Sequence, residues 1–198
     1  FPKLKTASNN CVFNALIVDL ISDIDLDHFD YTNIQFIPKL KISFIPQEDT
    51  LGFIYISLRD LSLRKQTGAY YTPARTVTKL IDYLFADGIN FENRTFCDPC
   101  CGTGNFLICL LNKGVNVANL YGQDIDELSV LITRINIFLL NGNLSKEHLE
   151  SHFICGNTLE NTFVQSFSVV LGNPPWGYNF SKEEISFLLK HYKTGKSK

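Results

Sequence analysis

The stretch Arg94-Thr95-Phe96-Cys97-Asp98-Pro99-Cys100-Cys101-Gly102-Thr103-Gly104-Asn105-Phe106-Leu107 decides how this chain folds. A short run to Asp98 reads as a strand ending in an acid, and Pro99 stops it. Two glycines then permit a tight turn with close backbone approach, and the apolar segment to about Asn112 reads as a helix. Strand, glycine turn and helix make the opening unit of a parallel sheet, with the helix N-terminus and the turn presented to a ligand. A phosphate loop is excluded, because that site needs Gly-Lys-Ser/Thr after the turn.

Downstream, three further strands are spaced by helices. Asn119 to Gln123 forms the second and ends in Asp124-Ile125-Asp126. An acid at that point, about 20 residues after a glycine turn, is placed to bind both hydroxyls of a ribose. Asp124 is assigned that role, and Asp126 caps a helix from Glu127 to Leu140 that is apolar nearly all round and stops at Gly142. His152 to Cys155 reads as the third strand, with His152 as a strand residue, leading to Gly156-Asn157-Thr158-Leu159. Phe167 to Leu171 is the fourth. Ser181 opens a last helix, with Glu183 and Glu184 at its start and Ile185, Leu188 and Leu189 on its apolar side. Four strands alternating with helices predict a doubly wound α/β sheet.

The fourth strand delivers the chain to Asn173-Pro174-Pro175-Trp176, where two prolines rule out both a continuing strand and an immediate helix. The result is a rigid turn with carbonyl acceptors, an amide oxygen and a broad π surface, a set that suits a planar group carrying an NH2. On the other side of the glycine turn, Thr72 and Pro73 read as N-cap and first residue of a helix to about Phe85, with Val77, Leu80, Ile81 and Leu84 on one face. Its free N–H groups and the Thr72 hydroxyl suit a carboxylate. Residues 51–63 read as an amphipathic packing helix, capped by Thr50, with Leu51, Ile54, Leu58 and Leu61 at helical spacing. Residues 1–47 carry no chemistry legible in sequence: a mixed apolar segment Val12 to Ile21 reads as helix, Asp23 to Asp30 as a solvated acidic stretch, and Lys39 to Phe44 as a half-buried strand.

Composition bounds these readings. With 198 residues, 45% of them hydrophobic, the chain has material for one globular domain plus an appendage. Every apolar run is broken well short of the ~18 residues a membrane span needs, and the N-terminus lacks a signal-peptide pattern, so no membrane association and a cytoplasmic location are expected. Four of the six cysteines, Cys97, Cys100, Cys101 and Cys109, crowd around one turn instead of spacing out as a secreted disulfide framework. Adjacent Cys100 and Cys101 fit a metal-ligand layout poorly, so buried, reduced thiols and no metal are expected. The net charge is -2, and the basic clusters are confined to Arg64-Lys65 and Lys190 to Lys198. A chain that grips a phosphate backbone unaided shows a basic face, so any nucleic acid must be held mostly from elsewhere. The chain starts at Phe1 and lacks Met, which reads as a piece of a longer product.

Four strings, in order over roughly residues 50 to 195, resemble one family. Gly68-Ala69-Tyr70-Tyr71-Thr72-Pro73 is similar to motif X, Asp98 to Leu107 to motif I, Asp124 and its neighbours to motif II, and Asn173 to Trp176 to motif IV of the S-adenosylmethionine-dependent N6-adenine DNA methyltransferases, of the type I modification-subunit and type IIG restriction-modification kinds. The resemblance implies a Rossmann-like methyltransferase sheet whose later strands lie outside this chain, with a mainly helical N-terminal segment over residues 1–64 and the methyltransferase domain over 65–198. It implies S-adenosylmethionine held by Tyr71, Thr72, Asp98, Pro99, Gly102, Thr103, Gly104, Asp124, Ile125 and Asn157. Asp98 would face the ammonium group and Asp124 the ribose, while Asn157 would meet the adenine amino group, where the family often has Asp. Catalysis would fall to Asn173, Pro174, Pro175 and Trp176, with an adenine flipped out of double-stranded DNA stacked on the indole. A specificity or nuclease domain or subunit is the implied partner. Two other readings are methylation of a protein glutamine or similar amino group, and a non-catalytic cofactor-binding or assembly module.

Overall fold

The computed structural model describes residues 48–58, 71–86, 88, 91–160, 163, 165–177 and 179–192. Among them, strands β1 (Phe96–Asp98), β2 (Leu120–Asp124), β3 (Phe153–Cys155) and β4 (Val169–Val170) form one sheet in the order β3-β2-β1-β4. All three pairings are parallel, with Phe96 beside both Leu120 and Val169. Chain direction across the sheet therefore reverses between β1 and β4. In a doubly wound fold the ligand crevice opens at that switch point, beyond the carboxyl ends of the strands.

The connections are helical. The described helices are α1 (Thr50–Leu58), α2 (Ala74–Ala86), α3 (Asn105–Asn112), α4 (Glu127–Asn141), α5 (Lys146–His152) and α6 (Lys182–His191). Phe96, Leu107, Leu110, Leu120, Ile137, Leu149 and Phe153 are fully buried between helices and sheet, each stabilising the fold by about 2 kcal/mol relative to exposure. Phe85, Phe91 and Phe96 continue this core as a stack, with ring centroids 3.8 and 5.4 Å apart. Strands of two to five residues suffice because β1 is buried at every position.

Several elements differ from the sequence reading. Helix α5 was hidden in a polar string with one buried residue, Leu149, and the Ser145 side chain caps it by accepting the His148 N–H at 3.2 Å. His152 therefore closes a helix instead of opening a strand: it stacks on Tyr121 at 4.2 Å and its Nδ1 bonds to the Leu120 carbonyl at 2.9 Å. Helix α1 starts one residue early, and Asp49 rather than Thr50 caps it, accepting the Gly52 N–H at 2.8 Å. Its inward face is Asp49 and Gly52, while Leu58 is exposed, because a residue without a side chain allows the closest approach to the neighbouring loop. Helix α2 begins at Ala74, with the Pro73 carbonyl accepting from Thr76 and Val77, so Thr72 is not its cap. Asp126 sits at the N-cap of α4 without making the cap bond, since its carboxylate accepts from Ser129 Oγ and the Tyr55 hydroxyl. Helix α6 has the capping box read from Ser181 and Glu184, yet no residue of it is buried. The readings for residues 1–47, the end of the first helix at 59–63, the Gly68 to Tyr70 part of its downstream turn, and Lys193 to Lys198 lie outside the described residues. No helix among the described residues is long and apolar enough to cross a membrane.

Candidate active site

Asp98 stands at the carboxyl end of β1, 1% exposed. Its Oδ1 accepts the Cys100 N–H at 3.1 Å, whereas Oδ2 has no hydrogen-bond partner among the described residues. Burial pushes the Asp98 carboxyl up to about 7; the Cys100 N–H opposes that shift and the Asp124 charge adds to it. The chain leaving β4 passes so close that a Cβ on Gly172 would lie 2.4 Å from Asp98 Oδ1. A buried carboxylate with an unmatched oxygen is a receptor for a cation or an N–H donor.

The glycine turn lies beside it. Gly102 and Gly104 adopt φ of 53 and 91°, a region that favours glycine. The Gly102 N–H donates to Asp124 Oδ2 at 2.8 Å, and the Asp126 N–H to Asp124 Oδ1 at 3.0 Å. Both Asp124 oxygens are thus oriented by backbone N–H groups. Ile125, 69% exposed, offers an apolar surface next to it. The Pro99 carbonyl accepts from the Thr158 hydroxyl, which ties the loops after β1 and β3 together. Asn157 is held within its own turn: its Oδ1 accepts the Leu159 N–H and its Nδ2 donates to Glu160, both at 3.1 Å. Thr103 departs from the rest of the set. Its side chain is buried away from the crevice, and its hydroxyl donates to Asp49.

The segment before α2 and the turn after β4 meet at this crevice. Asn173 Nδ2 donates to Thr72 Oγ1 at 3.1 Å, and Asn105 Nδ2 donates to the Thr72 carbonyl. Tyr71 packs edge-on against Phe53 at 5.8 Å, and burial, reinforced by Asp49 and Glu48, pushes its hydroxyl up to about 12. The remaining Asn173 acceptor, Oδ1, takes the Trp176 indole N–H at 2.9 Å. Trp176 is 68% exposed, and Pro174 and Pro175 are exposed beside it. Asn173 Oδ1 is thus shown to accept an N–H donor of planar, aromatic character.

Sequence reasoning missed the polar residues behind the turn: Asp49, Tyr55, Thr133 and Asn136. Thr133 and Asn136, polar residues on the apolar helix α4, carried a visible signal, whereas Asp49 and Tyr55 did not. Cys97, Cys101 and Cys109 are buried, and burial raises the Cys97 and Cys100 thiols to about 12 and 11, which keeps them protonated and unreactive. Among the described residues no cluster of three or more His, Cys, Asp or Glu side chains is arranged to hold a metal.

The family model described as N-6 DNA Methylase matches residues 46–195. The chain is 35% identical over 148 residues to the type II methyltransferase M.VspI of Vibrio sp. (strain 343), covering 75% of this chain and 35% of that relative. It is 28% identical over 178 residues to the type I restriction enzyme MjaIX methylase subunit of Methanocaldococcus jannaschii, covering 81% of this chain and 29% of that subunit. A shorter match, 30% identical over 105 residues, joins 53% of this chain to 31% of the ribosomal protein L11 methyltransferase of Fusobacterium nucleatum. The chain spans about a third of the length of these relatives. The family match runs from just before Asp49 to beyond α6 and so takes in the glycine turn, both acids and the Asn173 turn: the chain belongs to the N-6 DNA methylase family.

Proposed function

We propose that this chain carries the cofactor-binding and catalytic part of an enzyme that methylates the N6 amino group of adenine in double-stranded DNA, within a restriction-modification system of the cytoplasm. The observation that carries the reading is the convergence at the switch point: Asn173 is bonded to Thr72 and lies next to Gly172, which abuts Asp98. Acceptors for an amino group and receptors for a cofactor thus share one crevice.

The residues fit S-adenosylmethionine. Asp98 Oδ2, buried and unmatched, would take the ammonium group; Asp124 would take the ribose hydroxyls; and Ile125 would cover one face of the adenine. Tyr71 and Thr72 would close the methionine end. Thr103 would contribute its backbone only, and Asn157 would meet the cofactor only if its turn rearranged. When bound, the cofactor supplies an electrophilic methyl group on a positively charged sulfur.

The chain's own part is positioning. The adenine amino group displaces the Trp176 N–H from Asn173 Oδ1, and its second hydrogen goes to the Pro174 carbonyl. With both hydrogens bonded, Asn173 and Pro174 would free the nitrogen lone pair from the ring for methylation; S-adenosylmethionine held by Asp98 and Asp124 would supply the methyl group, and the excess proton on N6 would pass to solvent. No base need act first, because the nitrogen becomes acidic only on methylation. Trp176, once released, stacks on the flipped base, and Pro175 keeps the turn rigid. Orientation and electrostatics supply the rate.

The net charge of -2 supports a division of labour in which DNA is gripped mainly by a further domain or subunit. The likeness to a methylase subunit supports the same view. The match to a ribosomal-protein methyltransferase favours, as a second reading, a shared cofactor half with a protein amino group as acceptor. Transfer of labelled methyl to adenine-containing duplex by the longest product of the gene decides between them. Asn173→Ala should lower that transfer by at least ~100-fold while cofactor affinity stays within ~3-fold. Equal activity in the variant, or labelling of protein and not of DNA, would refute the assignment.

A further inference from the structure

We propose that Asp49 is a positioning residue for the cofactor turn, and that helix α1 acts through Asp49 and Tyr55 as a clasp on the loops after β1 and β2. This inference rests on the reading that those loops bind S-adenosylmethionine. Asp49 is fully buried, an unusual place for a capping carboxylate, since most caps lie in water. It is matched by three donors from three elements: the Gly52 N–H at 2.8 Å, Asn136 Nδ2 at 2.7 Å and the Thr103 hydroxyl. Asn136 uses the same Nδ2 group to hold the Thr103 carbonyl at 3.0 Å, so Thr103 is gripped at both of its polar ends. Thr133 donates to the Gly102 carbonyl at 2.8 Å. The carbonyls of Gly102 and Thr103 are thus both held by α4, and on the other side of the turn the Gly102 N–H donates directly to Asp124.

Two further observations place α1 in this arrangement. A Cβ on Gly52 would lie 2.0 Å from both Asp49 Oδ2 and Thr103 Oγ1, so the helix backbone rests directly on the pair. About one turn further along, the Tyr55 hydroxyl donates to Asp126 Oδ2 at 2.7 Å, and the Asp126 N–H in turn orients Asp124, the proposed ribose acceptor. One short helix thus touches both cofactor loops without entering the crevice. A cap that served α1 alone would need only the Gly52 N–H. The two remaining donors come from the turn and from the helix behind it.

The test is S-adenosylmethionine titration by calorimetry on this chain, at a temperature where every variant is folded by circular dichroism, with thermal midpoints measured in parallel. Asp49→Asn, which turns an NH2 toward one of the donors, and Thr103→Val should each weaken binding by ~10-fold or more. Their double variant should bind no worse than the weaker single, because both changes break one tether. Thr103→Ser should recover most of the affinity lost in Thr103→Val, and Tyr55→Phe, which keeps the ring, should cost ~3-fold. Multiplying effects of Asp49→Asn and Thr103→Val would mean that the Thr103 hydroxyl meets the cofactor itself and would overturn the proposal. So would lowered midpoints with unchanged affinities, the mark of a purely structural cap. If Asp49→Asn does not fold, unchanged affinity in both Thr103→Val and Tyr55→Phe overturns it alone. Failure of the unsubstituted chain to bind would instead remove the cofactor reading and this inference together.

Discussion

The two sides of the switch point are built differently. On the β1–β2 side every functional backbone group is tethered: Asp124 is held by two N–H groups, the glycine turn by Thr133 and Asn136, and Asp98 is sealed under Gly172. On the β4 side the strand is two residues long, Val170 is 63% exposed, Trp176 projects outward, and α6 buries nothing. A group that must meet the same small molecule at each turnover gains from preorganisation, because donors already in place need no rearrangement as charge shifts. A surface that must admit a base from a large polymer has to stay open until that base arrives. Under the proposed function, the first side would hold the methyl donor and the second would receive the acceptor base.

The largest expected effect comes from joining the two sides by force. Gly172→Ala would press a methyl group onto Asp98, so it should weaken cofactor binding by ~100-fold and cost about 2 kcal/mol of stability, read by titration and chemical denaturation. Unchanged affinity would mean that β4 leaves Asp98 room to move, and the contrast would blur. Asp124→Ala acts on the tethered side alone. It should weaken binding by ~10- to 100-fold through loss of charge-assisted bonds, without altering a folded β4 side by near-ultraviolet dichroism.

A smaller effect should appear on changing pH. The Asp98 carboxyl ionises near 7 in the folded chain against 3.8 ordinarily, so between those values the folded state holds a proton that the unfolded state has lost. Stability of the free chain should therefore fall as pH rises through that window, and Asp49 and Asp124, also raised by burial, tilt it the same way. A cationic ligand favours the ionised form, so cofactor affinity should climb up to about tenfold between roughly pH 6 and 7.5 and be flatter in Asp98→Asn. A flat profile in the unsubstituted chain would remove Asp98 as the ammonium receptor. The smallest effect belongs to the open side. Trp176→Phe keeps a stacking ring but removes the N–H that occupies Asn173, so the apparent KM for duplex should fall ~2-fold with cofactor affinity unchanged, whereas Trp176→Ala should raise it.

Much of this site was legible because its chemistry is local. A strand-ending acid, a glycine turn, a second acid and an Asn-Pro-Pro-Trp turn each sit within a few residues, and apolar patterning was enough to place four strands and most of the helices between them. The errors fell where locality fails. Helix α5 offered one buried residue in a polar string, so nothing periodic marked it, and His152 was drawn into the strand that follows. Asp49 and Thr103 read as a helix-start residue and a turn residue, since a side chain's partner 54 positions away leaves no trace in spacing.

By itself the sequence determined the parallel α/β plan and the placement of two acids and an Asn-Pro-Pro-Trp turn at strand ends, because backbone stereochemistry and apolar periodicity act over a few residues. Only the tertiary structure decided that Thr72 and Asn173, 101 residues apart, share a hydrogen bond. It also decided that α1 rests on its polar, glycine side and that Thr103 faces away from the crevice. Those outcomes depend on which buried polar groups find one another once the sheet has formed. The cost of leaving such a group unmatched is set by its surroundings in space, not by its neighbours in the chain.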